Sequence, residues 1–326
     1  LSLLFVVNSF AQDTNITLAG FSEKVDSVVT NKMNQYDIPG LAIGLVMNNS
    51  VIYSKGYGLK SITSTDLVME YSNFHTASIS KLFTAQAVVM ILAENNISLN
   101  KKLLNIIPEL KYEDQRVEYI SIKNLLNHTS GIPDVSNYKW KNNNQSKSSL
   151  RDYVLSLNLK VDFQPGTDYQ YSNLAYNILG YLVEKLSKIP FEEYVRTNIL
   201  LANEMYTSDF RYFNVPDSLK TSPHSKRLLT KNIYVLKNYP YTREQAPSST
   251  LNSSAIDLSK WMISFLKLMD SDDNSFVKMT KPSFDPYPYI GLGFQLNTLE
   301  SKATIGHFGG DKGYRSYLIM IPEEKI

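Results

Sequence analysis

The stretch Phe74-His75-Thr76-Ala77-Ser78-Ile79-Ser80-Lys81 sets a hydroxyl and an amine three residues apart at the head of an apolar segment. Downstream, Leu82, Ala85, Val88, Val89 and Leu92 recur with the spacing of one helical face. Ser78 is therefore expected to open a helix, with Lys81 one turn further on. A serine hydroxyl is a poor nucleophile until a base takes its proton, and a lysine can serve once burial or nearby positive charge makes it neutral. Unpaired backbone N–H groups at a helix start suit a developing oxyanion. The pattern is not specific by itself, because it recurs at Ser136/Lys139, Ser264/Lys267 and Ser275/Lys278.

Two further motifs follow in order. Tyr171-Ser172-Asn173 comes after a Pro165-Gly166 turn, and His307-Phe308-Gly309-Gly310 lies in an apolar stretch near the end. Tyr-x-Asn also occurs at Tyr71/Asn73 and Tyr212/Asn214, whereas His-x-Gly occurs once. With the flanking segments 125–133 and 310–316, this order and spacing resembles the serine β-lactamase and penicillin-binding-protein superfamily. Within it, the chain is most similar to the class C-like branch that includes esterases and D-aminopeptidase-related enzymes. The resemblance covers residues 15 to 326.

The resemblance implies an acyl-enzyme mechanism with Ser78 as nucleophile and Lys81 and Tyr171 as the proton-handling groups. A phenol such as Tyr171 can relay a proton to the leaving group when lysine ammonium groups lower its pKa. Which of Lys81 and Tyr171 is the base stays open at this level. Asn173 either orients a substrate amide or caps its own turn. His307 lines the cleft from a strand edge or is a strand histidine with a backbone partner. The backbone N–H groups of Ser78 and Gly310, with Gly309 alongside, are the implied oxyanion hole. His128 sits in a tight Thr-Ser-Gly turn and reads as structural. His75 is near Ser78, but a triad would need an acid partner, and no Gly-x-Ser-x-Gly elbow is present. Two departures stand out. His307 takes a position where β-lactamases of this type usually carry lysine, which removes a fixed charge for a substrate carboxylate. Ser248-Ser249 replaces a usual Gly-Gly pair.

The elements that must position these groups are legible in outline. Leu18, Phe21, Val25, Val28, Val29 and Met33 make a helical stripe ending before Pro39-Gly40. Leu41–Met47 is a continuous apolar run fit for a buried strand, Asn48-Asn49-Ser50 is turn chemistry, and Val51–Tyr57 returns. Residues 82 to 250 read as mostly helical, with a short helix at Ile120–Asn127 and a longer one carrying Leu174 to Leu186. Polar residues 136–149 read as a solvated loop, and 203–245 carry no clear signal. Ser254-x-x-Asp257 is a capping box. Strands are expected at Gly291–Leu296, Ala303–Phe308 and Tyr314–Ile321.

The expected architecture is α+β: an antiparallel sheet built from both termini and flanked by helices (12–80 and 255–326), plus a mainly helical inserted domain (81–254), with the site between them. In the resembled fold a further strand and a last helix follow Tyr314–Ile321. Those elements are missing before Ile326, so an exposed edge is expected between Leu41–Met47 and Tyr314–Ile321. The apolar residues at 1–11, with small residues up to Ala11, read as the tail of a secretory signal peptide, implying a periplasmic or secreted protein.

Composition excludes several classes. The chain has 326 residues, 43% hydrophobic and 20% charged, enough for a large core. The net charge of +2, without a basic stripe, gives no footprint for nucleic acid. With no cysteine, disulfides, zinc–thiolate sites and thiol nucleophiles are ruled out. No His-Glu-x-x-His motif is present, and no metal, cofactor or stable membrane span is implied. The expected partner is a small-molecule ester, peptide or β-lactam. A class C-like β-lactamase or D-Ala-D-Ala carboxypeptidase is the alternative enzyme, and a catalytically silent binding or sensor protein is the alternative of another class. Oligomeric state stays open.

Overall fold

The computed structural model describes residues 18–227, 230, 232–270 and 274–326; the expected signal remnant at 1–11 lies outside them. The first helix, α1 (Leu18–Tyr36), buries Phe21, Val25 and Val29. This is the i, i+4, i+8 face that its sequence spacing predicts. It leads into an antiparallel hairpin, β1 (Gly40–Met47) and β2 (Ser50–Gly58). The connecting Asn48 and Asn49 both hold positive φ, 50° and 61°, the paired left-handed conformation that asparagine tolerates in tight hairpins.

The helix that follows Ser78, α2 (Ser80–Glu94), departs from expectation. Every residue from Ser80 to Leu92 except Met90 is buried, so it is a central core helix rather than one with an apolar stripe. It is buried all round because α3 (Asn173–Ser187), the turn Ala246–Ser249 and the short helices Phe191–Val195 and Asn274–Met279 close on it from several sides. Among the described residues, Ala77–Glu94 is the one helical segment long and apolar enough to cross a membrane, and 78% of it is buried inside the fold. α3 opens with Ser172 accepting a hydrogen bond from Ala175 N–H at 3.1 Å. A fourth helix, α4 (Ala255–Met269), starts at Ser254, whose hydroxyl accepts from Asp257 N–H. Only half of the expected capping box forms, because the Asp257 carboxylate is taken by Thr207 and Ser208.

The C-terminal sheet has the order β5-β4-β3, all antiparallel: β3 (Gln295–Leu299), β4 (Lys302–Asp311) and β5 (Tyr314–Met320). The first strand begins at Gln295, not Gly291. Gly293 has a φ of 87° and donates its N–H to Leu126 O, which bends residues 291–294 into the core and buries Phe294. The single sheet expected from both termini is two sheets: among the described residues β1 pairs only with β2, and β5 only with β4. The expected edge between β1 and β5 is therefore open, and β1 is half-buried along most of its length rather than a fully buried strand. The two ends meet through Asn48 N–H donating to Lys325 O and through Ile321 and Ile326, which pack with Phe21 and Val25. The main hydrophobic cluster takes in Leu82, Leu179, Phe265, Phe294 and Leu318, so helices and C-terminal sheet share one core.

Two segments that looked irregular are pinned. Within 136–149, Trp140 is buried and stacks on Tyr138, so this stretch is not simply solvated. Within 203–245 lie 3₁₀ turns, a small hairpin pairing His224–Lys226 with Ile233–Val235, and Arg243. The Arg243 guanidinium is buried and pairs with Glu184 and Glu192 from the α3 region. Burial raises the Glu192 carboxyl from its ordinary range even with Arg243 beside it. Arg243→Leu should strand that carboxylate and lower stability by about 3–5 kcal/mol, the scale for breaking a buried ion pair. The check is a shift of the urea midpoint at unchanged slope.

Candidate active site

Ser78 sits in a 3₁₀ turn, Ala77–Ile79, directly ahead of α2, rather than on the α-helix itself. The turn is fixed from outside. Phe74–His75 pairs with Asn252–Ser253, Thr76 N–H donates to Leu251 O, and Ser80 Oγ donates to Ala77 O. Ala77 is buried with a φ of 49°, a left-handed conformation that costs an L-residue about 1–2 kcal/mol.

Lys81, on the first turn of α2, is wholly buried. Its Nζ lies 2.6 Å from Asn173 Oδ1, 2.7 Å from Ser248 O and 3.1 Å from Ser78 Oγ. The first two partners can only accept. A neutral amine therefore gives them its two hydrogens and turns its lone pair to the Ser78 hydroxyl. Burial pulls the Lys81 pKa down to about 7, with Asp134 and Asp311 opposing the shift. A large share of the amine is neutral at pH 7.

Tyr171 donates from its phenol to Ser78 Oγ at 2.9 Å. The sequence argument allowed a phenol acidified by nearby ammonium. The structure reverses this: burial pushes the Tyr171 hydroxyl well above its ordinary value. It is a proton donor at working pH, which leaves Lys81 as the group able to take up a proton. His128 sets the ring from behind. It is buried at a φ of 59°, lies tilted against the Tyr171 ring with centroids 4.4 Å apart, and accepts Ser172 N–H at Nδ1. This is the structural role its turn suggested.

Asn173 is committed on both sides of its amide. Oδ1 holds Lys81, while Nδ2 and the backbone N–H donate to Asp134 at 3.0 and 2.7 Å. These bonds fix the lysine rather than cap a turn. His307 is buried, and its Nδ1 bonds the carbonyl of Phe308. Burial, followed by the charge of Lys81, takes its pKa down to about 3, so it offers no positive charge. Gly309 lies where β4 crosses the Ser78 turn. A Cβ there would stand 2.1 Å from Ser316 Oγ and 2.3 Å from Thr76 O, so only glycine permits the approach. β3 pairs with β4 only up to Gly306, which leaves the edge at Phe308 and Gly310 without a backbone partner from that strand. Phe308 N–H donates instead to Gln295 Oε1.

The structure brings Ser78, Lys81, Tyr171, Asn173 and Gly309 together. Sequence reasoning passed over Asp134 and the Ser248 carbonyl. Asp134 directly follows the family-like segment 125–133, a signal that was available. A backbone carbonyl carries no side-chain signature at all.

A family model described as Beta-lactamase matches residues 25–326. Protein flp of Staphylococcus aureus (strain MW2) is 24% identical over 319 residues, which is 93% of this chain and 61% of that protein. Penicillin-binding protein 4* of Bacillus subtilis (strain 168) is 25% identical over 292 residues, 82% of this chain and 62% of that protein. The chain thus spans about three-fifths of these relatives' length. In fold it is similar to the octameric penicillin-binding protein homologue from Pyrococcus abyssi, with a TM-score of 0.79, 23% identity, and coverage of 93% of this chain and 71% of that one.

Proposed function

We propose that this chain, which belongs to the beta-lactamase family, is a serine hydrolase that cleaves an ester or amide through an acyl-enzyme. One observation carries the reading: Ser78 Oγ is held by a buried lysine amine at 3.1 Å and a protonated phenol at 2.9 Å. Lys81 takes the hydroxyl proton as Ser78 attacks the carbonyl; as the bond to the leaving group breaks, Tyr171 gives that group a proton and is reprotonated at the expense of the Lys81 ammonium, and water then cleaves the acyl–Oγ bond by the same groups in reverse. The N–H groups of Ser78 and Gly310 receive the developing oxyanion. Asn173 and Asp134 hold Lys81 in place. The reading as a silent binding protein is disfavoured by this constellation being intact.

Within that class we favour an esterase or D-amino-acid peptidase-like activity in the periplasm or outside the cell. A neutral His307 cannot give a substrate carboxylate the charge-assisted contact that lysine would, worth about 1.5–3 kcal/mol or roughly 10- to 100-fold. Neutral esters do not need that contact. The second reading, a class C-like β-lactamase or D-Ala-D-Ala carboxypeptidase, is supported by relatives named as penicillin-binding proteins. The experiment is turnover of a panel: short-chain p-nitrophenyl esters, a chromogenic cephalosporin and a D-amino-acid peptide. The expected result is a higher kcat/KM for the esters, with the ester-to-cephalosporin ratio narrowed by His307→Lys. A cephalosporin hydrolysed faster than p-nitrophenyl acetate or butyrate would overturn the esterase reading in favour of the second.

A further inference from the structure

His75 lies three residues before Ser78, on the two-residue strand that pairs with Asn252–Ser253. It is wholly buried and takes no part in the proton transfers above. Its Nδ1 accepts the backbone N–H of Ala77 at 3.2 Å. The other polar groups of the turn are held elsewhere: Thr76 O by Ser316 Oγ, Thr76 N–H by Leu251 O, and Ala77 O by Ser80 Oγ. The Ala77 N–H, at the left-handed residue, has the imidazole as its partner.

We infer that His75 is a positioning residue for the proposed nucleophile: by accepting the Ala77 N–H it holds the left-handed turn that presents the Ser78 hydroxyl to Lys81 and Tyr171. The ring is clamped for the task. It stacks on Tyr314 at 5.6 Å and 22°, with Tyr239 edge-on at 5.9 Å, and the Tyr314 hydroxyl is itself fixed to Thr221 O at 2.6 Å. Accepting at Nδ1 puts the ring proton on Nε2, and the Pro240 carbonyl lies beside the buried ring as an acceptor. A ring needed only to fill space would be better served by phenylalanine, which buries no polar atom. Burial also lowers the His75 pKa, which keeps that lone pair free to accept.

This inference rests on Ser78 as nucleophile, and the test separates the two. The rate of Ser78 labelling by a fluorophosphonate, and kcat and KM for a p-nitrophenyl ester, are measured for His75→Asn and His75→Gln. Asparagine presents its amide oxygen near the place of Nδ1; glutamine carries its amide one bond further, towards the place of Nε2. His75→Gln should lower kcat and labelling at least ~10-fold with KM little changed, while His75→Asn should stay within ~3-fold of wild type. In an Ala77→Gly background, where the left-handed turn carries no Cβ penalty, the loss from His75→Gln should shrink. The inference is overturned if both variants match wild type, if asparagine falls as far as glutamine, if the loss is equal in both backgrounds, or if neither variant melts cooperatively. Labelling that survives Ser78→Ala defeats the serine reading itself. Normal labelling of Ser78 in His75→Gln defeats only the clamp.

Discussion

Ser78→Ala should abolish both the covalent adduct and turnover. Intact-mass measurement after a fluorophosphonate or β-lactam probe should show one adduct on the native protein and none on the variant, with ester hydrolysis down at least ~10⁴-fold. The size follows from the unit the group belongs to: without Oγ, neither Lys81 nor Tyr171 has anything to act on. Ser78 is only half-buried and precedes α2, so the substitution opens no core cavity. Ser80, two residues on, is the natural control. Its hydroxyl is buried between Ala77 O and Leu251 N–H, so it holds the backbone and is not presented to solvent. An adduct that persists in Ser78→Ala would move the nucleophile elsewhere.

Lys81→Arg should lower kcat/KM by at least ~100-fold, the scale of general-base loss. Arginine keeps the charge and cannot give it up, so no lone pair is available to the Ser78 hydroxyl. In the native protein, activity needs the neutral amine. With the Lys81 pKa at about 7, kcat/KM should rise with pH through that value. Tyr171 is shifted upward, so its ionisation adds no descending limb near neutrality. Stability moves the same way for this group. Its folded pKa lies below the ordinary value of 10.5, so between about 7 and 10.5 the unfolded chain binds more protons, and stability rises with pH across that window. Near-normal turnover in Lys81→Arg, or a profile flat from pH 6 to 8, would transfer the base role to Tyr171.

The parts of this site that were legible in the sequence are those written in side-chain type and local spacing. Ser78 and Lys81 are three residues apart, and the apolar periodicity of 82–92 marks the helix under them. The stripes of α1 and α3 and the Asn48-Asn49 turn were readable for the same reason. What escaped is written across long separations. The Lys81 amine is oriented by Asn173, 92 residues away, and by the Ser248 carbonyl, 167 residues away. Periodicity does not encode such contacts, and a carbonyl looks alike at every position. The sense of the Tyr171 shift escaped because it depends on burial, and a sequence gives the charge of a neighbour more readily than the loss of water around a phenol. The start of β3 escaped because the apolar run at 291–296 looks like strand, whereas the backbone at Gly293 turns inward.

The burial of α2 on every side has a consequence for how such a protein diversifies. The proposed nucleophile and base, Ser78 and Lys81, are anchored at one end of the helix that also forms the centre of the core. Trimming Leu82 or Phe83 leaves a void beneath the reacting groups, so the same substitution harms folding and chemistry together. Selection on this helix is therefore doubly constrained, and new specificities must arise elsewhere. The segments free to vary are those outside the core, such as the loop bearing Tyr287, whose ring meets that of Tyr169 at 5.5 Å and is 41% exposed. Substrate range can drift there while the reaction centre stays fixed, an arrangement in which evolvability and robustness occupy different parts of one chain.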